Sequence, residues 1–125
     1  MTRRFFLLLP WCGAEPAAQP LLAPCIASAR EAGRLRLLFR APRGLRRRPA
    51  RVVLLLHLRG PAPETVRING RTARVASEAR GWAAVALPRA GAWERITLEP
   101  GEPFDGCADP ATSPSLVFDP APPAQ

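Results

Sequence analysis

From residue 34 onward, apolar and polar positions alternate along the chain. Arg34-Leu35-Arg36-Leu37-Leu38-Phe39-Arg40 sets Leu35, Leu37 and Phe39 on one side and the arginines on the other. A period of two is the pleat of a β-strand with one buried face. Arg51–Leu58 is apolar on both faces and β-branched at its start, as a central strand should be. Thr65–Ile68 and Arg71–Val75 flank Asn69-Gly70. Both residues of that pair accept the positive φ of a type I′ turn, so the dipeptide predicts a two-residue hairpin. Trp82–Leu87, Trp93–Leu98 and Ser115–Phe118 are three further strand-like runs. Ala41–Ala50, with its prolines, glycine and arginines, reads as a loop, and Ser77–Arg80 as a polar break. The one helical turn expected lies around Ala27–Ala32.

Short strands separated by turn signals at this spacing predict an all-β fold, a small antiparallel β-sandwich of about six to eight strands. A jelly-roll-like topology fits better than an immunoglobulin one, whose Cys…Trp…Cys signature is missing. The sandwich is expected over residues 30–119. Residues 1–29 form an N-terminal segment, either a first strand and loop or an export signal, and residues 120–125 a tail. The expected core is Leu35, Leu37, Phe39, Val52, Leu54, Leu56, Leu58, Val66, Ile68, Val85, Ile96, Leu98 and Leu116.

Composition agrees. A chain of 125 residues with 47% apolar content is one domain. A mean hydropathy of −0.05 excludes a multi-span membrane protein. The 16 prolines and 9 glycines argue against long helices.

The net charge is +8, and all 18 basic residues are arginine. The absence of Lys and Tyr is the mark of a GC-rich coding sequence, which accounts for much of the arginine excess. Its distribution says more. Residues 1–90 hold seventeen arginines against four acids, and residues 91–125 hold one arginine against six acids. A basic body and an acidic C-terminal stretch suggest that the two pack on one another, the alternative being a chance imbalance in solvated loops.

Cys12, Cys25 and Cys107 are an odd number without close spacing, so at least one thiol stays free and small apolar packing is the expected role. With no Cys-x-x-Cys and a single histidine, no structural zinc site is expected, and nothing calls for a cofactor. Thr2-Arg3-Arg4-Phe5-Phe6-Leu7-Leu8-Leu9 has the form of a bacterial twin-arginine export signal, with Ala27-Ser28-Ala29 as a processing site and a mature start near Arg30. The apolar stretch is short and Ala14–Pro24 is rich in proline, so the preferred reading keeps Phe5–Leu9 as a first strand of an uncleaved cytoplasmic protein, export being the alternative. Phe5–Leu9 is also too short to span a membrane.

The order of these features resembles a known type of β-sandwich. Arg51–Leu58, then Pro63–Arg71 ending its strand in Val-Arg-Ile-Asn-Gly, then Gly81-Trp82, the Leu87-Pro88 step, Trp93–Leu98 and Asp109–Phe118 are similar to galactose-binding-like jelly rolls. They also resemble accessory sandwiches of glycan-active proteins such as glycosyltransferases. The resemblance implies a non-catalytic module that binds a glycan or a partner protein in a glycan-biosynthesis or envelope pathway. With Tyr absent, the sugar platform it implies is Trp or Phe.

Trp11 lies outside the regular region and is the expected anchor for a sugar ring, whereas Trp82 and Trp93 are expected to fill the core. Arg46, Arg47 and Arg48, in the arginine-rich stretch Arg43–Arg51, are the expected polar ligand contacts. The same stretch carries the alternative function, a nucleic-acid-binding or assembly protein gripping phosphates, although no aromatic is interleaved to stack bases. Glu99, Glu102, Asp105 and Asp109 gather acids in a Gly/Pro loop without the spacing of a known calcium loop. His57 has no Ser or Cys beside it and no recognisable carboxylate behind it, so it is read as a half-buried imidazole bonded to a backbone carbonyl or packed at the sheet edge, and no enzyme is expected.

Overall fold

The computed structural model describes residues 20–40, 49–88 and 93–119. Their strands are β1 (Leu21–Glu31), β2 (Arg34–Phe39), β3 (Arg51–His57), β4 (Thr65–Ile68), β5 (Arg71–Arg74), β6 (Ala76–Ser77), β7 (Trp82–Leu87), β8 (Arg95–Glu99) and β9 (Ser115–Asp119). All pairings are antiparallel, in the order β5-β4-β8-β2-β1-β9-β3-β7-β6. The fold is all-β as the alternation predicts, but the described residues hold nine strands, more than the six to eight expected.

The strand that changes the picture is β1. Its first half, Leu21–Pro24, pairs with β9, and its second half, Cys25–Glu31, pairs with β2. A register shift between Cys25 and Ala27 separates the two. Such a bulge bends a strand and raises its twist, which lets one strand serve two faces of a sandwich. The sheet therefore folds over at β1, and β2-β8-β4-β5 lies against β9-β3-β7-β6 with the apolar rows between them. The helical turn expected around Ala27–Ala32 is instead extended backbone, with Ala27–Ala29 paired to Leu38–Arg36. Pro24 fits this strand because it sits next to the bulge, where a missing N–H does least harm.

Both tight hairpins use positive φ. Asn69 and Gly70 have φ of 50° and 86°, the left-handed pair a type I′ turn needs. The Asn69 side chain also reaches the next strand, donating from Nδ2 to the Arg95 carbonyl at 3.2 Å and accepting the Thr97 N–H at 2.8 Å. Ala32 and Gly33 make the β1–β2 turn with φ of 52° and 79°.

The core is the inner rows of both halves. Twelve of the thirteen expected core residues are buried there; Leu58 is half-buried and packs on the core's edge. Sequence reasoning left out Ala23, Ala83, Leu87, Phe104 and Phe118. Phe104 is the informative omission, because it lies in the loop between β8 and β9 and is fully buried. Backbone bonds zip that loop to the ends of β2 and β3: Gly101 N–H to Gly33 O at 2.8 Å, Arg59 N–H to Pro103 O at 2.6 Å, and Asp105 N–H to His57 O at 2.8 Å. Arg30, on β1, donates from its guanidinium to the carbonyls of Gly101 and Phe104. Cys25 and Cys107 form a disulfide with Cα atoms 6.0 Å apart, fastening the far end of the loop to β1. Apolar packing, the expected role of the cysteines, thus gives way to a cross-link for these two, which an odd count of three allows.

Three of the four arginine–carboxylate pairs among the described residues join the arginine-rich body to the acidic C-terminal stretch: Arg34–Glu99, Arg51–Asp119 and Arg59–Asp105.

The N-terminal alternatives concerning Thr2–Leu9, and the tail 120–125, lie outside the described residues. A mature start near Arg30 would remove Ala23, which is fully buried, together with Cys25 and most of the strand that joins the two halves. Among the described residues, no helix is long and apolar enough to cross a membrane.

Candidate functional site

The sheet is nearly closed, and a groove opens where it fails to close. Its end strands are β5 and β6. β5 pairs with β4 alone, and β6 covers β7 only at Ala83 and Ala84. Beyond Ala84, the second edge of β7 has no strand partner among the described residues. The seam between β5 and the end of β7 is an open groove of about 610 Å³. That volume lies within the range of roughly 300–1,000 Å³ common to small-ligand sites.

The lining divides by chemistry. Ile68, Ala73, Ala86, Leu87 and Pro88 give an apolar floor and wall. Trp93 is half-buried, packed on the core while lining the groove. Arg71 and Arg74 bring two guanidinium groups from the edge strand. Arg71 is opposite Ile68 and so on the inner face, whereas Arg74 is opposite Thr65 and on the outer face. Both are exposed. Asn69 lies at the mouth with its amide committed to β8, which fixes the hairpin tip against the start of that strand. A rigid indole beside two cationic forks and free strand edges can stack a flat apolar face while offering hydrogen bonds around its rim.

The residues expected to contact a ligand are not among the described ones. Trp11, Arg46, Arg47 and Arg48 lie outside the described residues, as does Arg43. Arg51, the described end of that arginine stretch, starts β3 and pairs with Asp119 at 3.0 Å. Trp82 and Trp93, expected in the core, are both half-buried. Trp82 is at the outer-face position opposite His57, which corrects the core reading for it, whereas Trp93 precedes β8 and packs against the core from the seam. Arg71 and Arg74 were legible only as hairpin residues.

A second polar cluster surrounds His57. Its Nδ1 lies 2.6 Å from Oδ2 of Asp105, and its ring meets that of Trp82 edge-on with centroids 5.1 Å apart. Asp105 also faces Arg59, whose Nε is 3.9 Å from Oδ1. The expected backbone-carbonyl partner is thus replaced by a carboxylate 48 positions along the chain. A histidine held by a carboxylate is two-thirds of a hydrolytic triad. Among the described residues no third member is supplied: Nε2 faces Gly81, Ser28 Oγ accepts the Cys107 N–H, and Cys107 is in the disulfide. Nearby, burial and the neighbouring Arg59 charge lower the Arg30 guanidinium from its ordinary range, while Asp105 and Glu102 oppose the shift.

The acidic loop residues are spent separately. Glu99 pairs with Arg34 at 3.3 Å, Asp105 with His57, and Asp109 caps the turn at Pro110–Thr112 by accepting the Ala111 N–H at 3.0 Å. Among the described residues, no three His, Cys, Asp or Glu side chains converge as a metal site would require.

Compared with protein families, with curated proteins and with solved structures, the chain has no significant match to any.

Proposed function

We propose that this chain is a non-catalytic β-sandwich module that binds a glycan in the seam groove. The observation that carries the reading is the half-buried indole of Trp93 in a groove of about 610 Å³ whose rim holds Arg71 and Arg74. A sugar ring offers an apolar C–H face to stack on such an indole and hydroxyls at its edge for the guanidinium groups. The sequence resemblance to accessory sandwiches of glycan-active proteins points the same way. The groove is the site proposed among the described residues; Trp11 and Arg46–Arg48 lie outside them.

A glycan array probed with wild type and with Trp93→Ala at low and high salt tests the reading. Binding to a restricted set of sugars, nearly independent of salt where those sugars are neutral and lost in the variant, is the expected result. A blank array at both salts would overturn it. If the chain then held DNA or RNA at low salt and lost it on replacing Arg46, Arg47 and Arg48 by Ala, the nucleic-acid function would take its place.

The disulfide favours the exported alternative over the cytoplasmic one. Disulfides persist in oxidising compartments, and Cys25–Cys107 joins the Arg3-Arg4 leader as an independent pointer to one.

A further inference from the structure

We propose that the groove selects sugars bearing an anionic substituent, a carboxylate or a sulfate, over neutral ones of the same size; this rests on the glycan reading above. The groove's described charged residues are Arg71 and Arg74, with no acid beside them. Four of the described arginines are matched to acids, Arg34 to Glu99, Arg36 to Glu31, Arg51 to Asp119 and Arg59 to Asp105, while Arg40, Arg67, Arg80 and Arg95 form no ion pair among the described residues. Arg71 and Arg74 form no ion pair among the described residues. What sets Arg71 and Arg74 apart is their place: two uncompensated cations lining one groove are a charge pattern that an anionic ligand completes.

Geometry narrows the class. The two guanidinium groups leave opposite faces of one edge strand, Arg71 inward beside Ile68 and Arg74 outward beside Thr65. They approach a ligand from two sides. Each presents a planar fork that matches a carboxylate or sulfate bidentately, and such charge-assisted bonds are roughly twice as strong as neutral ones. The apolar wall of Ala73, Leu87 and Pro88 excludes water from one side and so strengthens them. Trp93 separates a sugar acid from a bare anion, because an inorganic ion has no face to lay on an indole. β5 adds main-chain groups: its far edge has no strand partner among the described residues, and its N–H and C=O groups serve the ring hydroxyls.

Calorimetric titration of the full chain with three oligosaccharides tests this: a galacturonate trimer, a heparin-derived tetrasaccharide and a neutral galactose trimer. At least one charged probe should bind about tenfold or more tightly than the neutral trimer. Arg71→Ala and Arg74→Ala should each lower affinity for that probe by about tenfold, as expected for loss of one charge-assisted contact. Both side chains are exposed, so the thermal midpoint should stay unchanged, and Arg74→Lys should retain charge but lose part of the affinity. The two charged probes separate carboxylate from sulfate. Equal affinity for neutral and charged probes would overturn the selectivity and leave the glycan reading standing. If no oligosaccharide binds, or only single-stranded DNA does, both fall.

Discussion

Replacing Gly101 by alanine puts one methyl group where the fold has no room for it. Gly101 is buried, and its φ is one any residue adopts, so the substitution probes space alone. An added Cβ would sit 2.6 Å from the Arg34 carbonyl carbon and 2.7 Å from Leu35 Cβ. These atoms belong to β2, which is held on one side by β1 and on the other by β8, and cannot recoil cheaply. The loop must give way instead. Doing so breaks the Gly101–Gly33 backbone bond of 2.8 Å and the 2.9 Å bond from Arg30 to the Gly101 carbonyl, and lifts Phe104 from the core. Two hydrogen bonds at about 1 kcal/mol each and partial exposure of an aromatic ring sum to about 3 kcal/mol. Gly106→Ala is the matched control on the same loop. Its Cβ would press on the Ser28 hydroxyl, a side chain that can turn aside at the cost of its 2.9 Å bond from the Cys107 N–H, about 1 kcal/mol. Urea unfolding followed by tryptophan fluorescence reads both. With a slope of roughly 1–3 kcal/mol per molar urea, the Gly101→Ala midpoint should fall by about 1–3 M and that of Gly106→Ala by less than half as much. Equal midpoints, or the reverse order, would refute the account of how this loop is seated.

Other outcomes follow from single features. Ala32 holds φ of 52° without being glycine, so Ala32→Asn should raise stability by about 0.5–1 kcal/mol in the same assay. The Cys25–Cys107 bond closes a separation of 82 residues, and reduction should cost about 4 kcal/mol on the chain-entropy account, seen as a drop in the thermal midpoint with dithiothreitol. If the chain is exported and trimmed, intact mass should place the mature start between Leu9 and Leu21, ahead of β1, and a start at Arg30 would contradict the role given to that strand.

Much of the fold was legible because alternation is a direct image of the pleat. Leu35, Leu37 and Phe39 announce β2, and Asn69-Gly70 announces its hairpin, since both signals are local. β1 was not legible. Pro24 breaks its pattern, the alanines of Ala27–Ala29 carry no strand preference, and its turn places alanine at positive φ, which no propensity foretells. Its identity comes from long-range pairing with β9 at one end and β2 at the other. Phe104 was missed for the same reason: a loop residue is buried only when Arg30, Gly33 and Cys25 hold the loop down from far along the chain. The site was less legible still. Arg71, Arg74 and Trp93 are unremarkable in sequence and meet only because the sheet stops short of closing between β5 and β7.

The central claim is that the seam groove is the binding surface. Amide and indole chemical-shift mapping on the labelled full chain, titrated with the oligosaccharide that binds best, tests it most directly. The account predicts shifts concentrated at the Trp93 indole N–H, Arg71–Arg74 and Ala86–Leu87, with the Trp82 indole beside His57 unmoved. Shifts centred on His57, Trp82 and Asp105, or on Arg46–Arg48 with the groove silent, would contradict it.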